Sequence, residues 1–326
     1  MSRLDDVGAV AIGRNEGERL RACLESLVDR VARVVYVDSG STDGSVALAE
    51  RLGCEVVALD MSVPFTAARA RNAGFERVKD LAHVQFVDGD CEVVEGWLEG
   101  ARARLGERED LAVVCGRRRE RHPDATLYNR LCDIEWDTPV GEAKACGGDA
   151  MMKSAAFAEV GGFDETLIAG EEPELCVRLR QAGFAIERLD LEMTLHDAAM
   201  TKFSQWWKRA KRSGHAYAEG AAIHGAPPER HWVTETRRIL MWGAALPAAA
   251  TLGAIPTMGL SLGLLAGYPV SAARVLKHTL ERGRPLEDAL PYAVFTTLGK
   301  LPEAAGALEY HVNRLRGRRR GLIEYK

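Results

Sequence analysis

The sequence predicts an α/β fold with a doubly wound, mostly parallel sheet and a hydrophobic helical appendage at the C-terminal end. In the first half, apolar runs of strand length alternate with segments of helical periodicity, which is typical of βαβ units. In the second half, residues 239–273 contain no charged side chain, so the composition changes abruptly there. A chain of 326 residues has room for one large α/β domain and such an appendage.

Each element of the first half is predicted from a local pattern. Mainly apolar runs indicate strands, a 3.6-residue apolar repeat indicates helices, and Asp43 is placed to cap the helix that it opens. In chain order the predicted elements are strand 7–12, helix 20–31, strand 34–37, helix 43–52, strand 55–59, helix 65–78, strand 83–87 and strand 111–115.

The second half is less regular. Pro173 falls in the first turn of a predicted helix, where its missing N–H is tolerated. The predicted elements are strand 145–153 with a glycine pair, helix 172–182, extended pieces 184–189 and 193–196, and a basic, aromatic helix over 201–220.

The composition excludes several functional classes. A net charge of −4 gives no reason to expect nucleic acid as a partner. Seven scattered cysteines without a Cys-x-x-Cys pair argue for reduced thiols and against a zinc site or a disulfide framework. The N-terminus has no apolar segment of signal-peptide length, so a cytoplasmic location is expected.

The most informative motif is Asp88-Gly89-Asp90, at the end of the predicted strand 83–87. Open α/β sheets bind ligands outside the carboxyl ends of their strands, so both carboxylates are expected in that crevice. Carboxylate oxygens on one short loop suit Mg²⁺ or Mn²⁺ bridging a diphosphate. Taken alone, the motif is also compatible with a solvated turn.

Two further segments have both a binding and a structural explanation. Asp38 closes the second strand, where a carboxylate either accepts hydrogen bonds from a base or ribose or caps the following turn. Arg69 and Arg71 lie on one helix, where guanidinium groups either bind a diphosphate or form part of a solvated face.

The second half adds carboxylates, glycines and a histidine. Glu171 and Glu172 open a helix, where the dipole stabilises negative charge and where an ionised carboxylate is also suited to general-base catalysis. The pair Gly147-Gly148 allows either a close approach to a ligand or a plain turn. His196 is either structural or a nitrogen ligand that completes a metal site.

Taken in order, these motifs resemble the inverting family 2 glycosyltransferases of the GT-A fold, over about residues 7–220. No single motif carries the resemblance, because each is short, but their order is specific. The motifs are Asn15-Glu16, the segment 38–43, Arg71-Asn72, Asp88-Gly89-Asp90, Gly147-Gly148, Gly162-Phe163-Asp164-Glu165, Glu171-Glu172 and His196.

The resemblance implies a role for each candidate residue. Those that would bind the nucleotide sugar are Ala11, Asn15, Glu16, Asp38, Arg71, Asp88 and Gly89. Those that would hold a divalent metal, Mn²⁺ or Mg²⁺, are Asp90, His196 and Asp88. Those on the acceptor side are Gly148, Asp149, Trp206 and Trp207. The catalytic base of the family comes from a Glu-Asp or Asp-Asp pair, here Glu171-Glu172. Glu172 takes the aspartate position and is the favoured base, with Glu171 as the alternative.

The reaction implied is a single in-line displacement with inversion. One sugar would move from a nucleoside-diphosphate sugar, most commonly a UDP-sugar in this family, to a hydroxyl of a glycan, a lipid-linked acceptor or a cell-envelope acceptor. Processive synthases carry Gln-x-x-Arg-Trp, whereas residues 205–209 read Gln-Trp-Trp-Lys-Arg, so a non-processive enzyme is expected. The implied domains are a catalytic domain 1–225, with a nucleotide-binding half 1–115 and an acceptor half 116–225, and a helical region 226–326.

Residues 239–273 predict association with the cytoplasmic face of a membrane. This run is longer than the ~20 residues of one span, but its three prolines argue against one straight helix. Basic residues flank both ends, which favours a re-entrant or shallow hairpin. Arginines near the C-terminus suit anionic headgroups, and they are Arg314, Arg316, Arg318, Arg319 and Arg320. The alternative is a helical pair packed on the catalytic domain or on a second subunit.

Two other functions are compatible with parts of the sequence. A sugar-phosphate nucleotidyltransferase also combines a nucleotide-binding sheet with a metal aspartate, but residues 13–17 poorly match the Gly-rich basic loop of that class. A non-catalytic nucleotide-sugar-binding membrane protein would need neither both metal aspartates nor a candidate base.

Overall fold

A computed structural model describes residues 3–318 of the chain and contains a nine-stranded mixed sheet. The strands are β1 Leu4–Gly13, β2 Val31–Asp38, β3 Glu55–Ala58, β4 His83–Asp88, β5 Cys91–Val93, β6 Leu111–Glu120, β7 Gly141–Glu142, β8 Ala150–Lys153 and β9 Ala185–His196. Their order in the sheet is β3-β2-β1-β4-β8-β6-β9-β5, and β7 pairs with β9.

The longest ladders of this sheet are parallel. β1 pairs in parallel with β2 and β4, β2 with β3, and β6 with β9. The short strands β5, β7 and β8 make the antiparallel pairs. The predicted fold class, a mostly parallel α/β sheet of the GT-A type with C-terminal helices, is confirmed.

Thirteen α-helices lie within the described residues. They are α1 Glu18–Glu25, α2 Ser45–Arg51, α3 Ala67–Phe75, α4 Trp97–Glu107, α5 Leu127–Glu135, α6 Ser154–Glu159, α7 Glu171–Gln181, α8 Phe203–His224, α9 Val233–Leu240, α10 Leu246–Leu252, α11 Gly267–Glu281, α12 Leu286–Leu298 and α13 Lys300–Leu315. A π-helical turn, Met241–Ala245, and a 3₁₀ segment, Leu260–Ala266, connect α9 to α10 and lead into α11.

Close packing of α3 on the sheet positions a residue of the site. Gly74 lies against β1, and a Cβ added there would come within 2.3 Å of the Val10 side chain. The missing side chain lets α3 approach the strand, and Arg71 stands one turn earlier on the same helix. Thr66 caps the helix by accepting a hydrogen bond from the backbone N–H of Arg69 at 3.1 Å.

Two predicted elements differ from the structure. The predicted strand 145–153 shortens to β8, because Gly147 adopts a left-handed conformation with φ of +88°. The two extended pieces 184–189 and 193–196 are one strand, β9, whose register against β6 shifts between Arg117 and Arg118. These irregularities interrupt the alternating pattern on which a strand prediction depends.

The chain divides into two compact units. The first runs to His122 and resumes over Glu135–Ala198, and the second comprises Pro123–Ile134 and the chain from Ala199 onward. This division comes earlier than the predicted boundary near residue 225, since α8 packs along α13 within the second unit. Gly214 and Gly306 make that crossing close: a Cβ at either would lie 1.9 Å from a backbone oxygen of the other helix.

The charge-free run 239–273 forms several short helical pieces rather than one helix. They are the end of α9, the π-helical turn, α10, the 3₁₀ segment and the start of α11. None of the helices within residues 3–318 is both long and apolar enough to cross a bilayer. Arg319 and Arg320, which were predicted to meet headgroups, lie outside the described residues.

Candidate active site

Strand pairing at the end of the sheet brings Asp90 and His196 together. β5 runs antiparallel to the end of β9, in a register that pairs Cys91 with His196. Oδ2 of Asp90 lies 3.3 Å from Nε2 of His196, and both side chains are buried. The structure thus places side by side two residues that the sequence assigned to a metal.

The atoms around Asp90 fit a divalent cation. Asp90, Cys91 and His196 offer ligand atoms within 4.8 Å of one another. The carboxylate oxygen and imidazole nitrogen suit Mn²⁺ or Mg²⁺, whereas the sulfur is a softer donor. The ring of His196 lies between two carboxylates, since its Nδ1 faces Oε2 of Glu120 at 3.9 Å, and it also packs against neighbouring side chains. One such packing contact is with Trp136, whose ring lies edge-on at 4.7 Å.

Asp88 belongs to a buried chain of alternating charges. Arg71 donates from Nη1 to Oε1 of Glu171 at 2.8 Å and from Nη2 to Oδ1 of Asp88 at 2.7 Å. Arg118 continues the chain, with Nη2 at 3.7 Å from Oδ2 of Asp88 and 2.8 Å from Oδ2 of Asp149. Three carboxylates and two guanidinium groups leave one negative charge in excess. Both segments of the first unit, the one that ends at His122 and the one over Glu135–Ala198, contribute residues to this row of charges.

The two arginines keep Asp88 ionised. Burial acts in the opposite direction and is the largest single effect, but Arg71 and then Arg118 together hold the pKa of Asp88 well below its usual 3.8. Burial also opposes the charge of the arginines, and the neighbouring carboxylates nevertheless raise the pKa of both. Asp88 therefore faces guanidinium groups, and it lies outside the group formed by Asp90 and His196.

Asp149 supports the loop that carries Asp88. It is fully buried, and its Oδ1 accepts the backbone N–H of Asp88 at 3.0 Å. Its Oδ2 accepts the hydroxyl of Thr194 at 2.8 Å and pairs with Arg118. The sequence placed Asp149 on the acceptor side, but its carboxylate has no exposed surface to offer an acceptor, so we assign it a positioning role.

Gly148 lies against the same charges rather than against open space. A Cβ there would come 3.0 Å from Oδ2 of Asp88, 3.1 Å from Nη2 of Arg71 and 3.2 Å from Nη2 of Arg118. An added Cβ would therefore require these charged groups to shift by a few tenths of an ångström. Its predicted position on the acceptor side stays a prediction.

The loops after β1 and β2 are joined by their own side chains. Asp38 is buried, and its carboxylate accepts hydrogen bonds from the Tyr36 hydroxyl and from the N–H groups of Gly40 and Ser41. Asn15 donates its backbone N–H to Oγ of Ser41 and accepts the N–H of Thr42 at 2.7 Å. The turn-capping explanation of Asp38 is therefore realised, and nucleoside binding by Asp38 and Asn15 stays a prediction.

Three other residues predicted to bind the nucleotide sugar lie close by. Ala11 is fully buried inside β1, so its side chain offers no surface to a ligand. Glu16 forms an ion pair with Arg19 at 2.7 Å. Gly89 donates its N–H to the carbonyl of Ile12 at 2.8 Å, which joins the loop 88–90 to the end of β1.

The two candidate bases have different surroundings. Glu171 accepts from Arg71 and so belongs to the charge chain. Glu172 accepts the backbone N–H of Cys146 and the thiol of Cys176, the latter at 3.0 Å, and both hydrogen bonds end on Oε1. Both side chains are buried, with 8% exposure at Glu171 and 6% at Glu172, so exposure does not distinguish them. Protonating Glu171 would disrupt an ion pair, whereas Oε2 of Glu172 has no such partner among the described residues.

Asn72, the residue after Arg71, connects two motifs that are distant in the sequence, because it is hydrogen-bonded to the backbone of Phe163. Its side chain donates to the carbonyl of Phe163 at 2.9 Å and accepts the N–H of Phe163 at 3.0 Å. The ring of Phe163 then lies 5.6 Å from the guanidinium of Arg71. Asn72 thereby fixes the loop that covers Arg71.

Comparison with known families accounts for this order of motifs. Residues 10–145 match the family described as glycosyl transferase family 2, and residues 132–202 match the one described as the N-terminal domain of galactosyltransferase. Residues 10–145 thus form a glycosyl transferase family 2 domain. The first match contains β1 to β7 with Asp38, Arg71, Asp88 and Asp90, and the second contains Glu172 and His196.

Two solved structures have the same fold as this chain. A mannosyltransferase from Pyrobaculum calidifontis, in complex with GDP-Man and Mn²⁺, has a TM-score of 0.62 at 18% identity, over 96% of this chain and 89% of its own. TarS of S. aureus, residues 1–349, has a TM-score of 0.54 at 15% identity, over 96% of this chain and 92% of its own. At such identities the likeness concerns the fold alone.

The curated relatives that match this chain are aligned over only part of their own length. A pre-mycofactocin glycosyltransferase of Mycobacterium tuberculosis is 27% identical over 281 residues, which is 82% of this chain and 56% of the relative. The succinoglycan biosynthesis protein ExoA of Rhizobium meliloti is 29% identical over 192 residues, which is 54% of this chain and 58% of the relative. This chain therefore spans a little over half of the length of these relatives.

Trp206 and Trp207 were predicted to lie on the acceptor side. Both are on α8, in the second unit. Trp206 is buried, and its ring packs edge-on to Phe295 at 4.9 Å. Phe203 lies between 5 and 6 Å from both tryptophan rings. The structure thus gives Trp206 a packing role within its unit, and its contact with an acceptor stays a prediction.

Arg118 is the site residue that sequence reasoning missed. Strand β6 was expected to end at Cys115, but it continues to Glu120 and so carries Arg118 into the site. The ring of Trp136 lies 5.6 Å from its guanidinium. The available signal was the run of three arginines at 117–119, directly after an apolar strand.

Proposed function

We propose that this chain is a metal-dependent, inverting glycosyltransferase that moves one sugar from a nucleoside-diphosphate sugar to an acceptor hydroxyl. The observation that carries the proposal is the 3.3 Å contact between Asp90 and His196 at the end of the sheet. Arg71 and Asp88 lie at this same end and link it to the helix that carries both candidate bases. Family membership supports the reaction class.

Asp90 and His196 would hold the divalent metal. A carboxylate and an imidazole, joined by water and diphosphate oxygens, form a donor set that Mn²⁺ accepts readily. When bound, such a metal neutralises charge on a diphosphate leaving group. The mannosyltransferase of the same fold was solved with Mn²⁺ and GDP-Man, which is consistent with this assignment.

Arg71 would add positive charge beside the diphosphate. Its two Nη atoms are occupied by Asp88 and Glu171, whereas its buried Nε–H has no acceptor among the described residues. The two carboxylates hold the guanidinium plane in one orientation, so little reorganisation is needed when charge develops on the leaving group.

Glu172 would act as the general base. Its Oε1 is fixed by the N–H of Cys146 and the thiol of Cys176, which leaves Oε2 to accept the proton of the acceptor hydroxyl. Glu171 is already committed to Arg71. Attack by the deprotonated hydroxyl at the anomeric carbon and departure of the diphosphate then occur in one inverting displacement, without a covalent enzyme intermediate.

For the substrates, the proposal is a UDP- or GDP-sugar donor and a glycan or lipid-linked acceptor of the cell envelope. One relative is named for succinoglycan biosynthesis, which supports a glycan acceptor, whereas another is a pre-mycofactocin glycosyltransferase. The altered order of residues 205–209 supports the addition of a single sugar. We place the enzyme at the cytoplasmic side, where nucleotide sugars are available to it.

Release of nucleoside diphosphate tests this proposal. The wild-type chain is incubated with Mn²⁺ and a panel of UDP- and GDP-sugars, alone and with candidate acceptors. We expect slow donor hydrolysis with one donor, and a loss of at least about 100-fold in Asp90→Asn, since a metal contributes several kcal/mol to transition-state stabilisation. Asp190→Asn is the matched control, because Asp190 is an exposed carboxylate on the same sheet, in β9.

Other outcomes would overturn the proposal. Production of pyrophosphate from a nucleoside triphosphate and a sugar phosphate would identify a nucleotidyltransferase. Saturable binding of a nucleotide sugar without turnover under any condition would identify a non-catalytic binding protein. An equal loss of activity in Asp190→Asn would remove the assignment of Asp90.

A further inference from the structure

The turn between α10 and α11 exposes an unusual amount of apolar surface. We call residues 252–265 the hairpin tip. Seven large aliphatic side chains in it are at least one-third exposed, and four of them, Leu252, Ile255, Met258 and Leu260, are between 80% and 91% exposed. Isolated exposed aliphatic residues are ordinary, but a contiguous set at one turn marks an interaction surface.

The backbone of the hairpin tip is internally satisfied. Ser261 donates its hydroxyl to the carbonyl of Ala250 at 2.8 Å, and Thr257 donates its own to the carbonyl of Gly253. The N–H groups of Thr257, Met258 and Gly259 also find carbonyl partners within the turn. These polar groups therefore have partners within the turn, which is what a hydrocarbon environment requires, while the aliphatic side chains are exposed.

The same sequence of layers occurs on both arms of the hairpin. Trp242 lies before the hairpin tip and Tyr268 after it, one on each arm, and their rings lie 5.9 Å apart. Exposed basic residues come next, with Arg237 and Arg238 on one arm and Arg274 and Lys277 on the other. Apolar side chains, then paired aromatic rings, then cations is the order met on passing from hydrocarbon through the interface to headgroups.

From this layering we infer that the hairpin tip inserts into the surface of a bilayer that contains anionic lipids. The aliphatic side chains would enter the acyl region to a depth of ~5–10 Å, as interfacial helices do. The flanking cations complement anionic headgroups, which a second copy of the tip, also flanked by cations, does not. This inference rests on the second unit alone, so it does not depend on the proposed transfer reaction.

Vesicle binding by the full chain tests the inference. Flotation is measured with vesicles of phosphatidylcholine, with and without phosphatidylglycerol. Ile255→Ser/Met258→Ser should lower the partition coefficient about 10-fold or more, because each substitution removes a large aliphatic group from hydrocarbon. The matched control is Val140→Ser/Leu191→Ser, whose side chains are 58% and 43% exposed but belong to the first unit, and it should bind as the wild type does.

The cations provide a second arm of the experiment. Arg237→Gln/Arg238→Gln should weaken binding to vesicles with phosphatidylglycerol and leave the weaker binding to phosphatidylcholine unchanged. A site-specific probe gives the depth. All seven native cysteines are buried, so a fluorophore on Met258→Cys labels one exposed position, with Val140→Cys as its control. Only the former should shift its emission to the blue on vesicles.

Three results would overturn the inference. The first is no binding of the wild-type chain to either vesicle. The second is an equal loss of binding in Val140→Ser/Leu191→Ser. The third is a wild-type dimer in analytical ultracentrifugation that Ile255→Ser/Met258→Ser converts to a monomer without any change in vesicle binding, which would assign the hairpin tip to self-association. The far-UV circular dichroism spectrum should be the same in the variants and the wild type, which shows that the variants are folded.

Discussion

At the scale of single residues, the structure separates two adjacent glutamates that the sequence presents as equivalent. Glu171 and Glu172 both open α7, where the helix dipole stabilises their charge. Glu171 turns to Arg71, and Glu172 to Cys146 and Cys176. Glu171 is therefore suited to orienting Arg71, whereas Glu172 keeps one carboxylate oxygen available for a proton. Kinetics of the two variants can distinguish these roles.

Substitution of each glutamate should affect a different kinetic constant. Glu172→Gln should lower kcat by 10²- to 10⁴-fold with little change in the donor KM, because the base acts in the chemical step. Glu171→Gln should mainly raise the donor KM, since Arg71 would lose a partner that orients it. Steady-state kinetics of nucleoside diphosphate release with acceptor present gives both constants. The opposite pattern would assign the base to Glu171.

Cys176 provides an internal control for this assignment. Burial raises the pKa of its thiol to about 11, so the thiol is protonated at neutral pH and donates to Oε1 of Glu172. Cys176→Ala should lower kcat about 10-fold without changing KM, and Cys176→Ser should restore most of the loss, because a hydroxyl also donates. Equal kcat values for the two variants would show that Cys176 only fills space.

At the scale of elements, periodicity predicted strands and helices where each pattern was regular. β1, β2, β4 and α7 lie within a few residues of their predicted bounds, because apolar runs and a helical stripe depend on local sequence alone. The insertion of β8 beside β4 and the extension of β6 to Glu120 depend on pairing between distant segments. Arg118 was missed for this reason.

The same limit applies to the candidate site. Asp90 and His196 were predicted together because the order of motifs implied it, and pairing of β5 with β9 places them there. Asp149 was assigned to the acceptor side from the family resemblance, whereas its contact with Arg118 is a tertiary contact that no local pattern indicates. The contact of Glu172 with Cys176 had a local signal, since the two are one helical turn apart on α7.

The crossing of α8 and α13 depends on glycine, and this gives a prediction about stability. A Cβ at Gly214 would lie 1.9 Å from the carbonyl oxygen of Glu303, so the helices would have to separate. Gly214→Ala should lower the free energy of unfolding of the second unit by about 1–3 kcal/mol, as overpacking does. Thermal denaturation followed by circular dichroism measures the effect.

A matched glycine gives the contrasting result. Gly106 lies in α4 with nothing within 4 Å of an added Cβ. Gly106→Ala should leave stability unchanged or raise it by up to about 1 kcal/mol, because alanine has the better helix propensity. If Gly214→Ala melts at the same temperature as Gly106→Ala, the close approach of α8 and α13 is not required for stability.

At the scale of the whole molecule, the two compact units have separable chemistry. The first unit contains the sheet, the charge chain and both predicted metal ligands. The second contains the hairpin tip, whose inferred partner is a bilayer rather than a nucleotide sugar. A variant that loses one property while it keeps the other would therefore show which unit is responsible, and the metal offers the most direct case.

Binding of Mn²⁺ should stabilise the first unit against unfolding. Asp90 lies between β4 and β5 and His196 ends β9, so one ion would join segments that are far apart in sequence but adjacent in the sheet. A ligand that binds only the folded state at ten times its Kd adds about 1.4 kcal/mol to the free energy of unfolding.

The wild-type melting temperature should rise with Mn²⁺ and fall again with a chelator. His196→Ala should lose this response, whereas Asp190→Asn should keep it. If His196→Ala responds as the wild type does, the ion binds elsewhere, and the role of this sheet edge in metal binding has to be abandoned even if the fold is correct.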